Sequence, residues 1–151
     1  MNCIFGDERN TDHYNSHAGA ITKSTFDLGI YNAQNGISSI VEGPMTPAIQ
    51  GQRTGFIDST LEAAAQGNFG VSLIYCVAPA RIVWDRLHQR GEARDVQKYD
   101  LENKETGWPW FLKTFIDVSG PTQYEHLRVD TSQPVDENLV KIVHYIQNRR
   151  F

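Results

Sequence analysis

Apolar residues along the chain fall into short continuous runs separated by longer periodic stretches. The runs occupy residues 2–5, 37–41, 71–77 and 126–129, and each has the length of a typical β-strand. The third run, V-S-L-I-Y-C-V, is almost continuously apolar, which is typical of a parallel strand covered on both faces. We therefore predict four strands, with Cys76 buried as a small apolar side chain in the third.

The stretches between the runs repeat apolar residues at three- and four-residue steps, which is the spacing of one face of a helix. Four such stripes are Ala18, Ile21, Thr25 and Leu28; Ile57, Thr60, Leu61 and Ala64; Ala80, Val83, Trp84 and Leu87; and Leu139, Ile142, Val143 and Ile146. Gly67 is placed to stop the second helix, and Pro79 can open the third because a helix start needs no N–H there. Weaker patterns predict helices over residues 96–104 and 110–117.

The last predicted helix also carries charges at both ends. Asp136 and Glu137 lie in its first turn and Arg149 and Arg150 at its end, so both pairs match the helix dipole. Strands that alternate with helices imply crossover connections. We therefore predict an α/β fold with a mostly parallel sheet.

The composition adds limits on the class of protein. At 151 residues, with 40% hydrophobic and 21% charged residues, the chain is typical of one globular domain. A net charge of −4 gives no basic field for nucleic acid or an anionic membrane. The two cysteines lack metal-ligand spacing, and neither a signal peptide nor a membrane-length apolar segment is evident in the sequence. We therefore expect a cytoplasmic protein.

Polar or turn-forming residues follow each run directly, where the carboxyl ends of parallel strands collect ligands. They are G-D-E-R at residues 6–9, E-G-P-M at 42–45, A-P at 78–79 and D-T-S-Q-P at 130–134. A ligand-binding edge of the sheet would give this pattern, but ordinary polar loops would give it equally well. The spacing of the arginines bears on the choice between these two explanations.

Three arginines, Arg86, Arg90 and Arg94, follow the third run at four-residue intervals. The planar, permanently charged fork of arginine binds phosphate oxygens in pairs, and four-residue spacing on a helix puts such groups on one side. Gly91 is expected to end the helix, so Arg94 would lie in the segment beyond it. A solvated helix face, with nearby acidic residues as partners, is the plainer interpretation.

The stretch from Val71 to Asp95, V-S-L-I-Y-C-V-A-P-A-R-I-V-W-D-R-L-H-Q-R-G-E-A-R-D, resembles P-loop kinases of the small-molecule and nucleotide-kinase type. In that family a buried strand leads to a helix with spaced arginines, and a lid segment then closes over the phosphates. The resemblance implies a single three-layer α/β/α domain over residues 1–151, with a lid-like segment at about residues 88–106. Arg86, Arg90 and Arg94 would then stabilise the charge of the transferred phosphoryl group.

The same resemblance implies roles for residues at the other strand ends. I-S-S-I-V-E-G is similar to the strand that carries an acidic residue near the metal, so Glu42 would position a magnesium-bound water or contact the substrate. G-D-E-R is similar to the segment that holds the acceptor, so Asp7 would orient a substrate hydroxyl and Arg9 would hold an anionic group. A turn carboxylate and a surface ion pair are the plainer alternatives for these residues.

H-L-R-V-D-T-S-Q-P is similar to the final strand and loop of the family, which lies beside the adenine base. The resemblance therefore implies that the backbone of four residues lines this edge: Asp130, Thr131, Ser132 and Gln133. It also implies ATP and Mg²⁺ as cofactors and a small-molecule or nucleotide-like hydroxyl as acceptor. Nothing in the resemblance implies nucleic acid or a membrane as a partner.

One part of the family pattern is missing from the sequence. The segment Gly19–Thr25 invites comparison with the Walker A motif G-x-x-x-x-G-K-[ST], but aligning Lys23 and Ser24 puts His17 and Thr22 at the two glycine positions. We expect this segment to be a structural helix and the chain to begin just before the second strand of the family pattern. The chain alone is then expected to show no ATP-dependent transfer, and to be marginally stable or to form a homo-oligomer. A non-catalytic binding or assembly module on the same scaffold is the alternative function.

Two further groups of residues are weak candidates. His13 and His17 have the four-residue spacing of metal ligands on a helix, but no third ligand is evident. The aromatic cluster Trp108–Phe111 could cap the core, stack on a base or contact a partner. Core or lid packing is the interpretation we favour for it.

Overall fold

The structure is a computed structural model, and it describes residues 12–43, 55–91, 100, 102–115 and 122–149. These residues form a mixed α/β structure that is mostly helical and contains a parallel sheet of two strands. The chain divides into two compact units, of which the second begins at Ser72. The first contains α1 (Asp12–Gln34) and α2 (Phe56–Gly67); the second contains β1 (Ile74–Val77), α3 (Ala80–Arg90), α4 (Lys104–Phe115), β2 (Leu127–Asp130) and α5 (Val135–Asn148).

Contacts between α1 and α2 hold the first unit together. The rings of Phe26 and Phe56 stack with their centroids 5.9 Å apart, and Ile57 is buried. Helix α2 ends at Gly67 as predicted, and Asn68 takes the left-handed conformation with its N–H bonded to the carbonyl of Ala64. The two helices predicted in this part of the chain are confirmed.

The strand predicted at residues 37–41 is wrong, because residues 37–42 have no regular secondary structure. Helix α1 ends in a Schellman motif instead. Gly36 has a φ of 74°, its N–H donates to the carbonyl of Ala33, and the N–H of Ile37 donates to the carbonyl of Asn32. This cap satisfies the last carbonyls of α1 and directs the following chain.

The segment after this cap contacts α1. A Cβ at Gly29 would lie 3.0 Å from Cγ2 of Val41, and the amide of Asn32 donates to the hydroxyl of Ser39 at 3.0 Å. Ile40 is 98% exposed. An apolar run forms a strand only when a neighbouring strand accepts its backbone hydrogen bonds, and none of the described residues does so here.

The sheet of the second unit pairs β1 with β2 in parallel, with Ile74 opposite Leu127 and Val77 opposite Asp130. The parallel arrangement is confirmed, although no P-loop fold is identified. The strand predicted at residues 2–5 lies outside the described residues. The prediction that β1 is covered on both faces is wrong, because Cys76 is exposed. Within the described ranges β1 pairs only with β2, and this leaves Cys76 accessible.

Helix α3 begins and ends where the sequence predicts. Pro79 is its N-cap, and Gly91 follows in the left-handed conformation with a φ of 61° and its N–H bonded to the carbonyl of Leu87. Trp84 is buried on one face of α3. About half of the lid-like segment predicted at residues 88–106, namely residues 92–99 and 101, lies outside the described part of the chain. The same holds for five of the nine residues of the helix predicted at residues 96–104.

Helix α4 packs against α3 and begins six residues earlier than predicted. The side chain of Asn103 accepts hydrogen bonds from the N–H groups of Glu105 and Thr106 at 3.1 and 3.4 Å, which makes it an N-cap. Phe111 is 1% exposed and its ring centroid lies 5.1 Å from that of Trp84. Core packing is therefore confirmed for this part of the aromatic cluster.

Helix α5 forms as predicted, but it does not bury the predicted stripe. Leu139, Val143 and Ile146 are 51%, 49% and 44% exposed, whereas Asn138 is only 7% exposed. The amide of Asn138 bonds to the end of β2, so this side of α5 lies against the sheet, and most of the apolar stripe is left exposed. No helix in the described ranges is long and apolar enough to span a membrane.

Candidate functional site

A groove lies in the second unit where β1 and β2 end. Its volume is about 390 Å³. Its lining residues are Cys76, Val77, Ala78, Val83, Arg86, Leu87, Arg90 and Thr131. They come from the end of β1, the inner face of α3 and the residue after β2, so the groove occupies the carboxyl edge at which α/β proteins collect ligands.

Helix α3 determines where the two groove arginines lie. Val83, Leu87 and Arg90 recur at the helical spacing and line the groove with Arg86. Val83 and Leu87 also pack against the core cluster that Trp84 of α3 forms with Phe111 of α4. The two arginines therefore project from a helix that is anchored in the core beside the groove.

Arg86 is bonded to the residue that follows β2. Its Nη2 donates to the backbone oxygen of Thr131 at 2.6 Å and its Nη1 donates to the Thr131 hydroxyl at 3.0 Å. The N–H and hydroxyl of Thr131 in turn donate to the carbonyl of Val77 at 2.7 and 3.1 Å. Thr131 thus connects β1 to α3. Of the acidic residues considered as partners of these arginines, Asp85 pairs with Arg81 at 3.4 Å, and Glu92 and Asp95 lie outside the described residues.

The turn after β2 contains an ordered carboxylate. One oxygen of Asp130 accepts hydrogen bonds from the N–H of Ser132 at 2.9 Å and from its hydroxyl at 2.7 Å, and the N–H of Gln133 donates to the Asp130 carbonyl at 3.2 Å. The hydrogen bond from the Ser132 hydroxyl, followed by the one from its N–H, lowers the pKa of Asp130 below its ordinary value of 3.8. The turn is therefore most stable when this carboxyl is ionised.

This shift predicts a contribution to acid sensitivity. Because the pKa of Asp130 is lower in the folded protein, its stabilisation is complete above pH 3.8 and is lost as the pH falls through that value toward the folded pKa. Asp130→Asn should therefore reduce the difference between urea midpoints measured at neutral pH and at about pH 3. Ser132→Ala, which removes the largest cause, should reduce it partly. An unchanged difference in both variants would contradict this assignment.

The structure brings some of the predicted site residues together. Arg86, Arg90 and Thr131 line the groove, and Asp130, Ser132 and Gln133 form the turn beside it. Glu42 lies exposed at the end of the irregular segment of the first unit. Asp7, Arg9 and Arg94 lie outside the described residues, so their roles stay predictions.

Two residues of this region were not predicted as functional. Asn138 bonds to the turn after β2. In the sequence it lies among polar residues at the start of a helix, and nothing there indicates that it is buried. Cys76 lines the groove, but the apolar run around it predicts burial. Its exposure depends on which elements cover that face of β1, and the run itself cannot show this.

The groove suits an anion better than a cation. Its polar lining consists of two guanidinium groups, a hydroxyl and a thiol. Across the described part of the chain, no group of three or more His, Cys, Asp or Glu residues could hold a metal ion. Among the described lining residues none is a carboxylate that could bind Mg²⁺, and the two guanidinium groups are donors of the kind that bind phosphate oxygens.

Comparison with known proteins assigns no relationship. No protein-family model, curated protein or solved structure matches this chain.

Proposed function

We propose that this chain is a kinase-like phosphotransferase domain and that its groove binds the phosphate chain of a nucleotide such as ATP. The observation that supports the proposal is the position of Arg86 and Arg90. Both arise from one face of a helix that follows a parallel strand, and both line the carboxyl edge of the sheet. The resemblance to P-loop kinases predicts positive charge at this place.

The chemistry of the groove supports phosphate as its ligand. A guanidinium has five N–H donors, and the hydrogen bonds to Thr131 occupy two of those of Arg86. These bonds fix the plane of the fork before a ligand arrives, which lowers the entropic cost of binding. The two guanidinium groups are exposed beside the apolar lining residues Val77, Val83 and Leu87, so an anion can reach both charges from solvent.

The remaining roles follow the family resemblance. By that resemblance, Arg94 would add charge at the phosphates, Asp7 would orient the acceptor hydroxyl, Arg9 would hold an anionic group, and Glu42 would position a magnesium-bound water or contact the substrate. The turn at residues 130–133 lies beside the base. The sequence contains no G-x-x-x-x-G-K-[ST] motif, so we expect this chain to bind phosphate without transferring it. Mg²⁺ would enter with the nucleotide, since the described groove supplies no carboxylate cage for it.

A non-catalytic assembly module is the second candidate, and the exposed side of α5 favours it. Five apolar residues of this helix are at least 44% exposed: Val135, Leu139, Val140, Val143 and Ile146. A patch of this kind is typical of a surface that contacts another protein. Sedimentation at increasing protein concentration, with and without nucleotide, separates assembly from ligand binding.

Alkylation of Cys76 can measure binding in the groove. In a Cys3→Ser background, Cys76 is the one remaining thiol, and it is exposed in the groove lining. Bound pyrophosphate or ATP should slow its alkylation in a saturable manner. Arg90→Ala should weaken pyrophosphate about fivefold, because an exposed charge contact contributes about 1 kcal/mol.

Arg81→Ala is the matched control on the same helix. Arg81 pairs with Asp85 and lies over the ring of Trp108, 5.5 Å from its centroid, and it does not line the groove. Its removal should leave pyrophosphate affinity unchanged. An alkylation rate that does not respond to millimolar pyrophosphate in the unsubstituted groove would overturn the proposed function.

A further inference from the structure

Asn138 is a buried amide in the second turn of α5. It is 7% exposed, and its Nδ2 donates to the carbonyl of Asp130 at 2.8 Å and approaches the carbonyl of Gln133 at 3.5 Å. Its Oδ1 is buried and has no hydrogen-bond partner among the described residues. Burying an amide with one atom unpaired is unfavourable. The hydrogen bond from Nδ2 to the turn is the contact that offsets this cost.

The turn after β2 is fixed from three elements. Asn138 of α5 holds the carbonyl of Asp130, and Arg86 of α3 holds the carbonyl of Thr131, the next residue. Val77 of β1 accepts the Thr131 N–H. The carbonyls of two successive residues, Asp130 and Thr131, therefore accept hydrogen bonds from side chains of two different helices. These bonds restrict the orientation of both peptide groups.

We propose that Asn138 is a positioning residue for the groove, which holds Thr131 where it fixes the guanidinium of Arg86. The inference rests on the proposed anion binding and extends it to a residue that does not touch the ligand. Without the Asn138 amide, the Asp130 carbonyl keeps only the N–H of Gln133 as a donor, and α5 no longer restrains the turn. The hydroxyl and carbonyl of Thr131, which accept hydrogen bonds from Arg86, then move relative to α3. The guanidinium of Arg86 is consequently less ordered when the anion binds.

The first experiment compares two asparagines of α5. Asn138→Leu keeps a similar volume and removes the donor, and it should raise the dissociation constant for pyrophosphate about three- to tenfold, the usual worth of one buried hydrogen bond. Asn148→Leu is the control, because the Asn148 amide is exposed and bonds to His144 in its own helix. Its dissociation constant should stay within about twofold of the unsubstituted value.

The second experiment separates positioning from simple destabilisation. In Asn138→Asp the ionised carboxylate cannot donate to the Asp130 carbonyl, whereas the protonated form can. Burial beside two carbonyl oxygens should raise the pKa of this new carboxyl, while the lowered pKa of Asp130 keeps that group ionised. As the pH falls from 8 to 5, the affinity of Asn138→Asp relative to the unsubstituted protein should recover.

Asn138→Leu provides the reference at low pH. Both variants are then neutral at this position, and only the aspartic acid can donate, so Asn138→Asp should bind pyrophosphate more tightly than Asn138→Leu. Equal affinities of the two variants at pH 5, or unchanged affinity in Asn138→Leu, would overturn the positioning role alone. No protection of Cys76 in the unsubstituted groove would overturn the proposed function, and this inference with it.

Discussion

Replacing Phe111 with alanine is expected to destabilise the second unit by about 3–5 kcal/mol, the usual cost of removing a buried phenylalanine. Phe111 is 1% exposed and lies against Trp84 and Trp108, with ring centroids 5.1 and 5.8 Å away. The contact with Trp84 joins α3 to α4. Because a small domain is stable by about 5–15 kcal/mol in total, this loss is a large fraction of the stability of the unit. Urea denaturation followed by tryptophan fluorescence measures the loss.

The neighbouring residue supplies the control for this experiment. Trp110 is 50% exposed, so Trp110→Ala removes a larger side chain from a less buried position. We expect it to cost about 1 kcal/mol or less. If the two variants lost similar stability, the aromatic cluster would not be the core of this unit, and the anchoring of α3 would need another explanation.

Helix positions were predictable because their signals are local. Gly67, Pro79 and Gly91 each lie within one residue of a helix boundary, since glycine, asparagine and proline act through their own backbone angles. Strands depend on partners distant in sequence. The run at residues 37–41 has the composition of a strand, but α1 ends in a Schellman motif before it and no described strand pairs with it.

Helix orientation was less predictable than helix position. The stripe of Leu139, Val143 and Ile146 predicts the buried side of α5, yet these residues are largely exposed. The side of α5 that faces the sheet is instead the side of Asn138, which bonds to the Asp130 carbonyl, and Ile142 is the one stripe residue that is half-buried. Apolar periodicity reports which side of a helix avoids water when a partner covers it, and it carries no information about whether that partner is present.

The candidate site was predictable in part, for the same reason. The spacing of Arg86 and Arg90 and the rule that ligands collect at strand ends were enough to predict that both would lie at the carboxyl edge. The contact between Arg86 and Thr131 joins residues 45 positions apart in the sequence, and no local pattern predicts it. The preorganisation on which the proposed function depends is therefore visible only in the fold.

Arg86→Ala is expected to weaken pyrophosphate binding about 10- to 50-fold, more than any other single change in the groove. A hydrogen bond to a charged group contributes about 1.5–3 kcal/mol, and this substitution removes both the charge facing the ligand and the two bonds that hold Thr131. Protection of Cys76 from alkylation gives the dissociation constant.

Arg86→Lys distinguishes charge from geometry. Lysine keeps the positive charge but has no planar fork, so it cannot reproduce the paired bonds to the Thr131 hydroxyl and carbonyl. If geometry matters as proposed, Arg86→Lys should bind pyrophosphate less tightly than the unsubstituted protein and more tightly than Arg86→Ala. If Arg86→Lys bound pyrophosphate as tightly as the unsubstituted protein, positive charge alone would account for binding. The guanidinium geometry that Thr131 fixes would then have no part in recognising phosphate.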